Sequence, residues 1–362
     1  MTVNDVVEDG AINILSQPIL VPLDGSDVAT GILPYVLQIA GKANTPLVLF
    51  TAVDPDAIDC PASVMSAESP SAGEPTAVCR VRIEESSRVH AQDTLHGVAT
   101  CLKDDGMEAK ATVTIGDPAE EILRVAEAEG CGLIAMSTHG RNPIGRSILG
   151  SITDRVIRAS NIPVLTVTPV RARKNREEGA PLTTIVAPLD GSELSQHALP
   201  YVERLARILS MEVLLTRVVR TEHPVYTDTE LGFWVPEFRE EMNWEATEYL
   251  EQVAQHLRDK GLTVRSQVLA GPAARALLNL AHETPQNLIA MITRGRTGLS
   301  RWMMGSVAST LVRRSGAPVL VLPAGLPARP WLPVAAPGAA KALVSAHLSP
   351  GIGRGQPVVS RG

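Results

Sequence analysis

One pattern occurs twice in this chain, and that duplication constrains the fold more than any other feature. Pro22-Leu23-Asp24-Gly25-Ser26 returns as Pro188-Leu189-Asp190-Gly191-Ser192, and Leu33-Pro34-Tyr35-Val36 returns as Leu199-Pro200-Tyr201-Val202. Gly140, followed ten residues later by Gly150-Ser151, returns as Gly295 at the same spacing from Gly305-Ser306. Ile162-Pro163-Val164-Leu165 then matches Ala317-Pro318-Val319-Leu320. Four landmarks in the same order make two copies of one domain, and 362 residues suffice for both.

Each copy opens with a short apolar run, Ile19 to Leu23 or Thr184 to Leu189, that ends in Asp-Gly-Ser. This reads as a buried strand, a turn and a helix start, with Ser26 or Ser192 as N-cap. Second strands follow at Leu47–Val53 and Val213–Val219, and third strands at Glu108–Ile115 and Thr263–Leu269. Fourth strands, Gly132–Met136 and Leu288–Met291, run into the glycine segments, and fifth strands lie at Pro163–Val167 and Pro318–Leu322. Strands alternating with helices at these lengths predict α/β domains, each a five-stranded parallel, doubly wound sheet with helices on both faces. The expected boundaries are a polar leader over 1–17, domains over 18–169 and 182–323, a charged linker over 170–181, and a disordered Pro/Ala/Gly-rich tail over 324–362.

Composition narrows the function classes. Aromatics make up 3% of the chain, so the cores must come from Val, Leu, Ile and Ala, which suits parallel strands buried on both faces. A net charge of -6 supplies no global basic field for nucleic acid. No apolar run approaches the roughly 18–20 residues a membrane span needs, and no basic, apolar secretory leader precedes the first copy. A cytoplasmic protein without nucleic-acid or membrane partners is the expectation. The four cysteines fall in the first copy without a Cys-x-x-Cys pair, so they read as incidental thiols rather than a zinc site or disulfide framework.

The glycine segment carries the chemistry. In open α/β sheets, ligands bind beyond the carboxyl ends of the strands, where strand order reverses. Asp-Gly-Ser and the glycine segment would meet there. A Gly-Ser that opens a helix presents free N–H groups and the positive end of the helix dipole, and phosphate is the natural guest. Arg141 and Arg146, or Arg296 and Arg301, lie within the intervening loops. Asp24 and Asp190 read either as turn residues that bond their own loop or as contacts to a ribose or a metal. His139, Arg155 and Arg158 read as solvated.

With those residues placed, both copies resemble the universal stress protein family. Its hallmark is Gly-x-x-Gly, nine residues, then Gly-Ser or Gly-Thr, after a Met at the end of strand four. Met136-Ser137-Thr138-His139-Gly140 with Gly150-Ser151, and Met291-Ile292-Thr293-Arg294-Gly295 with Gly305-Ser306, are similar to it. The resemblance implies a Rossmann-like sheet that binds ATP, with Mg held by the nucleotide and by Asp24. By position it assigns Asp24, Ala52, Met136, Ser137, Gly140, Gly150, Ser151 and Ile152 to a first nucleotide site. It assigns Asp190, Val218, Met291, Gly295, Gly305, Ser306 and Val307 to a second.

Both copies depart from the hallmark at its first glycine, which is Ser137 in one and Ile292 in the other. A branched side chain there would crowd a nucleotide, so the first site is expected to be the stronger. The resemblance also implies an intramolecular pseudo-dimer, with Val164–Val167 antiparallel to Val319–Leu322, and leaves a further homodimer open. The function implied is a nucleotide-dependent regulator of stress responses that senses ATP rather than turning it over. The alternatives are a slow Mg-dependent ATPase or adenylyl-transferring enzyme using Asp24, and an interaction module that binds no nucleotide. No Gly-x-x-x-x-Gly-Lys-Ser/Thr P-loop is present. Replacing Gly150 by valine is expected to abolish binding at the first site and leave the fold intact.

Overall fold

The computed structural model describes residues 15–57, 75–139, 149–169, 171, 181–219, 236–293 and 304–325, with backbone alone over 75–80 and 236–239. The first repeat runs β1 (Ile19–Pro22), α1 (Asp27–Thr30), α2 (Leu33–Ala43), β2 (Leu47–Val53) and α3 (Pro75–Asp104). It continues with β3 (Ala109–Ile115), α4 (Pro118–Ala128), β4 (Leu133–Ser137), α5 (Ser151–Ala159) and β5 (Val164–Val167). The second runs β6 (Thr184–Pro188), α6 (Glu193–Gln196), α7 (Leu199–Leu209), β7 (Glu212–Val219) and α8 (Pro236–Asp259). It closes with β8 (Val264–Ala270), α9 (Ala273–Glu283), β9 (Asn287–Ile292), α10 (Ser306–Arg314) and β10 (Val319–Leu322). The expected α/β class and its ten strands are borne out, with boundaries moved by a residue or so.

Strand order is β3-β2-β1-β4-β5 in the first repeat and its mirror sequence, β10-β9-β6-β7-β8, in the second. Within each repeat all pairs are parallel. Order reverses between β1 and β4, and again between β6 and β9, so a crevice opens at the carboxyl end of each first strand. The two halves join where β5 and β10 pair antiparallel, with Val319 opposite Thr166, Leu320 opposite Leu165 and Val321 opposite Val164. The result is one ten-stranded sheet.

Alternation along the strands separates two apolar layers. Ile19, Val21, Leu133, Ala135, Leu165 and Val167 face one way, with α2 and α7, and the layer continues through Ile185, Leu288 and Leu320 of the second repeat. Leu20, Val48, Phe50, Ile134, Met136 and Val164 face the other way, against α4 and α5, and continue through Val186, Ile289 and Val319. Each layer is therefore shared by both repeats. Across the seam, the backbone N–H of Leu182 donates to Gln38 Oε1 at 3.1 Å, and just after β5 Arg171 Nε donates back to the Tyr35 hydroxyl of the first repeat at 2.9 Å. Leu15, inside the stretch read as a polar leader, is 1% exposed and belongs to the first layer. Among the described residues no helix is long and apolar enough to cross a membrane.

Candidate functional site

A cavity of about 480 Å³ opens at the carboxyl edge of the first repeat's sheet. Five segments meet there: the β1–α1 turn, the end of β2, the start of α4, the end of β4, and the start of α5. Its lining includes Asp24, Ala52, Met136, Ser137, Gly150, Ser151 and Ile152, all named from sequence. The eighth, Gly140, lies outside the described residues, as do Gly295 and the loop arginines Arg141, Arg146, Arg296 and Arg301.

The β1–α1 turn is built by local chemistry. Gly25 takes φ +78°, which favours glycine. Ser26 caps α1 by accepting from the Ala29 N–H, and Asp24 Oδ1 accepts the Ser26 N–H at 2.9 Å. Thus Asp24 fills the turn-forming role of such a residue and also lines the cavity. The second repeat copies the geometry closely. Gly191 takes φ +82°, Ser192 caps α6 from Ser195 N–H, and Asp190 Oδ1 accepts the Ser192 N–H at 2.9 Å.

The start of α5 is held without a side-chain cap. Gly150 is its N-cap residue at φ −56°, ψ 140°, and no side chain bonds the helix start. The first N–H groups of a helix have no partner within it, so this end offers donors and positive potential to the cavity. Gly150 N–H itself donates to the Thr138 carbonyl at 2.9 Å, and Thr153 Oγ1 donates to the Ser137 carbonyl at 3.1 Å. These two bonds fasten the helix to the end of β4. They also give Gly150 a purpose that spacing could not reveal: an added Cβ would sit 2.7 Å from the Thr138 carbonyl oxygen. The expectation that Gly150→Val spares the fold is therefore corrected, because any side chain there collides with backbone.

The other named residues take distinct places. Met136 and Ser137 are buried at the end of β4, and Ser137 Oγ lies 3.4 Å from the Val167 carbonyl, donating to it. Ala52 shares a face of β2 with Phe50, which also lines the cavity. In the second repeat, Val218, Met291 and Val307 pack in the layer that corresponds to Ala52 and Met136. Gly305 opens α10 at φ −61°, ψ 150° and donates to the Thr293 carbonyl at 2.7 Å, and Ser306 follows it exposed. Ile292 is 4% exposed and packs with Leu189 and Leu322 in the opposite layer. Its bulk is thus absorbed by core, which removes the physical basis expected for crowding.

Sequence reasoning missed several lining residues. Pro118 and Ile122 reach the cavity from α4, and Leu149 and Thr153 flank the glycine. The period-two alternation of β2 would have pointed to Phe50 once Ala52 was named, whereas α4 is brought in only by packing. His139 was read as solvated. It lines the cavity, and its Nε2 is buried. Arg155 pairs with Asp117 at 2.6 Å and Arg158 with Asp154 at 2.6 Å, so both are engaged in surface ion pairs. The Arg155 guanidinium, helped by the backbone N–H groups of Glu120 and Ala119, holds the Asp117 carboxyl below its usual range against the opposing effect of burial. No cluster of His, Cys, Asp and Glu that could hold a metal by itself occurs among the described residues.

A profile described as the universal stress protein family matches residues 16–168 and again 181–323. The chain belongs to the universal stress protein family. Among curated relatives, universal stress protein MJ0577 of Methanocaldococcus jannaschii is 39% identical over 77 residues, 21% of this chain and about half (48%) of that protein. Universal stress protein MJ0531 of the same organism is 29% identical over 45% of this chain and 88% of its own length. A universal stress protein structure from Archaeoglobus fulgidus superposes at TM-score 0.60 with 19% identity, covering 86% of this chain and 99% of that one. At that identity the likeness concerns the fold, here the tandem universal stress protein fold across both repeats.

Proposed function

We propose that this universal stress protein binds ATP in the cavity of its first repeat and acts as a nucleotide-dependent regulator of stress responses. The observation that carries the reading is the convergence of Asp24, Ala52, Met136, Ser137, Gly150, Ser151 and Ile152 on one cavity of about 480 Å³, within the usual range of roughly 300–1,000 Å³ for small-molecule sites. The residues suit the ligand. The uncapped start of α5 is complementary to phosphate, and the apolar wall of Phe50, Ala52, Ile122 and Met136 suits a heterocycle. In this reading Asp24, which lines the cavity, would meet a ribose or a nucleotide-bound Mg.

ATP serves as a sensed ligand in this reading. In the second repeat, Asp190, Val218, Met291, Gly305, Ser306 and Val307 would form the counterpart. The β5–β10 seam would stand in for pairing between two separate copies, covering two strand edges that otherwise invite association.

The test is direct. Protein purified from cells is denatured, the released small molecules are identified, and ATP with Mg is titrated into the nucleotide-free full chain by calorimetry. Binding of about one ATP with the Asp24→Ala variant weakened supports the reading. Absence of both released nucleotide and binding leaves an interaction module. Phosphate or AMP release that depends on Asp24 would replace sensing with catalysis.

A further inference from the structure

We infer that the outer face of α8, in the second repeat, is a docking surface for this chain's own C-terminal segment, residues 326–362. Basic side chains of that segment meet Trp244 and the glutamates around it. The contact is separate from the cavity of the first repeat and does not depend on what that cavity holds.

α8 buries one stripe and exposes the other. Leu250, Val253, Ala254 and Leu257 are buried in the first apolar layer. Trp244 is instead 58% exposed, in a chain where aromatics make up only 3% of residues. Glu240, Glu241 and Glu248 stand four and three residues before it and four after, the spacing of neighbours on one helix face. All three are exposed, as is Glu245 beside them. Glu251 pairs with Arg258, whereas these four carboxylates have no ion-pair partner among the described residues. Like charges at this spacing destabilise a helix, so a cation that settles among them is stabilising. The exposed indole attracts the same guest, because its ring face favours Lys and Arg. α3 of the first repeat lacks both features: it contains no aromatic residue, and its Arg88 pairs with Glu85.

The sequence beyond Gly325 is the complementary partner. It carries Arg329, Lys341, Arg354 and Arg361 and no acidic residue. The chain also leaves the core toward α8. β10 is parallel to β9 and ends at Leu322, at the carboxyl edge of the second repeat. α8 joins β7 to β8, which pair parallel, so its first turns stand at that same edge. Ala324 packs against the first apolar layer, which α8 also covers. In the strand order β10-β9-β6-β7, β7 lies about 15 Å from β10, three strand spacings. The stretch from Gly325 to Lys341 can span about 50 Å when extended, so reach is ample.

The test uses the full chain. Carbodiimide couples carboxylates to amines held in ion pairs, and Lys341 is the lysine of the segment. Peptide mapping by mass spectrometry should find Lys341 joined to Glu240, Glu241, Glu245 or Glu248 at low salt. The product should be lost near about 0.5 M sodium chloride, where screening acts within a few ångström. In a mixture of unlabelled and heavy-nitrogen-labelled chains, each joined pair should carry a single isotope. Pairs of mixed isotope would give the face to a second copy's segment and overturn the proposal, and Lys341 joined only to other carboxylates would overturn it too. The second readout is oxidation of Trp244 by hydroxyl radicals. It should be about fivefold slower in wild type than in a full-length variant combining Arg329→Gln, Lys341→Gln, Arg354→Gln and Arg361→Gln, the scale of a cation–π contact reinforced by ion pairs. All four substitutions lie outside the packed layers, so the fold is untouched. Equal rates overturn the proposal and leave the acidic face to a separate basic partner.

Discussion

The two repeats fold the same loops at the same torsion angles but support them with different residues. Ser26 and Ser192 sit at φ −85°, ψ 151° and φ −82°, ψ 151°, and Gly150 and Gly305 agree within about ten degrees. Beneath this likeness the contacts diverge. In the first repeat Thr51 Oγ1 donates to the Leu23 carbonyl at 2.6 Å, bracing the strand before the turn. At the corresponding position of β7 stands Arg217, whose guanidinium carbon lies 5.1 Å from the Tyr249 ring centroid and reaches under Gly191. Burial pushes the Tyr249 hydroxyl pKa up, and Gln196 donates to that hydroxyl at 3.2 Å. The helix starts differ too. Thr153 gives α5 a second bond to β4, whereas α10 has Ala308 there and keeps only the Gly305 bond of the two. Backbone geometry at these loops is thus set by a few local residues, while the contacts that support them are changed independently in each copy.

Gly150→Val offers the harshest way to break the comparison. Forcing a side chain against the Thr138 carbonyl should cost about 2–3 kcal/mol and remove first-repeat ATP binding, read by urea unfolding and calorimetry. Retained stability with lost binding would show that the strand end yields more easily than the geometry implies. Next in size is the pair Gly191→Ala and Gly25→Ala. Both impose a positive φ on a residue with Cβ, a penalty of about 1–2 kcal/mol. Gly191 would also place its Cβ 3.0 Å from the Arg217 guanidinium. Gly191→Ala should therefore cost more than the positive φ alone, and a loss no larger than that penalty would mean that Arg217 swings aside.

Thr153→Ala sharpens the contrast between helix starts, since it gives the first repeat what the second already has. A loss of about 1 kcal/mol is expected, with weaker ATP binding as α5 loosens. An effect of similar size comes from Asp117, the N-cap of α4, where the second repeat has Pro272 and no side-chain cap. Asp117→Ala should cost about 1 kcal/mol near neutral pH. Because the folded carboxyl titrates below its unfolded value, that contribution is full above the unfolded pKa of about 3.9. It is lost as pH falls through the lower folded value. A pH series of unfolding free energies should therefore show wild type and variant converging in acid. Smallest is a thiol comparison inside the first repeat. Burial pushes the Cys131 thiol up to about 11, while Cys101 is exposed. At pH 8 iodoacetamide should label Cys101 and spare Cys131 in the folded chain, read by mass spectrometry of peptides.

The duplicated landmarks determined two copies, their strand sequence and the turn at each Asp-Gly-Ser, because these depend on neighbouring residues: a period of two, a serine cap, a glycine free to take positive φ. The same locality singled out Asp24 and the Gly150-Ser151 pair, while Ala52 and Met136 were named through the family resemblance, and all of them line the cavity. Other facts needed atoms distant in sequence to be brought together. That Gly150 is glycine because Thr138 lies against it, and that Ile292 spends its bulk in the core, are matters of three-dimensional contact. So too are the arrival of Pro118 and Ile122 from α4 and the burial of His139 Nε2. One-dimensional pattern carries the strand and turn preferences of a segment. It carries no information on which side chain will find a backbone, a void or a partner across the fold, and those contacts decide what the cavity of the first repeat can hold.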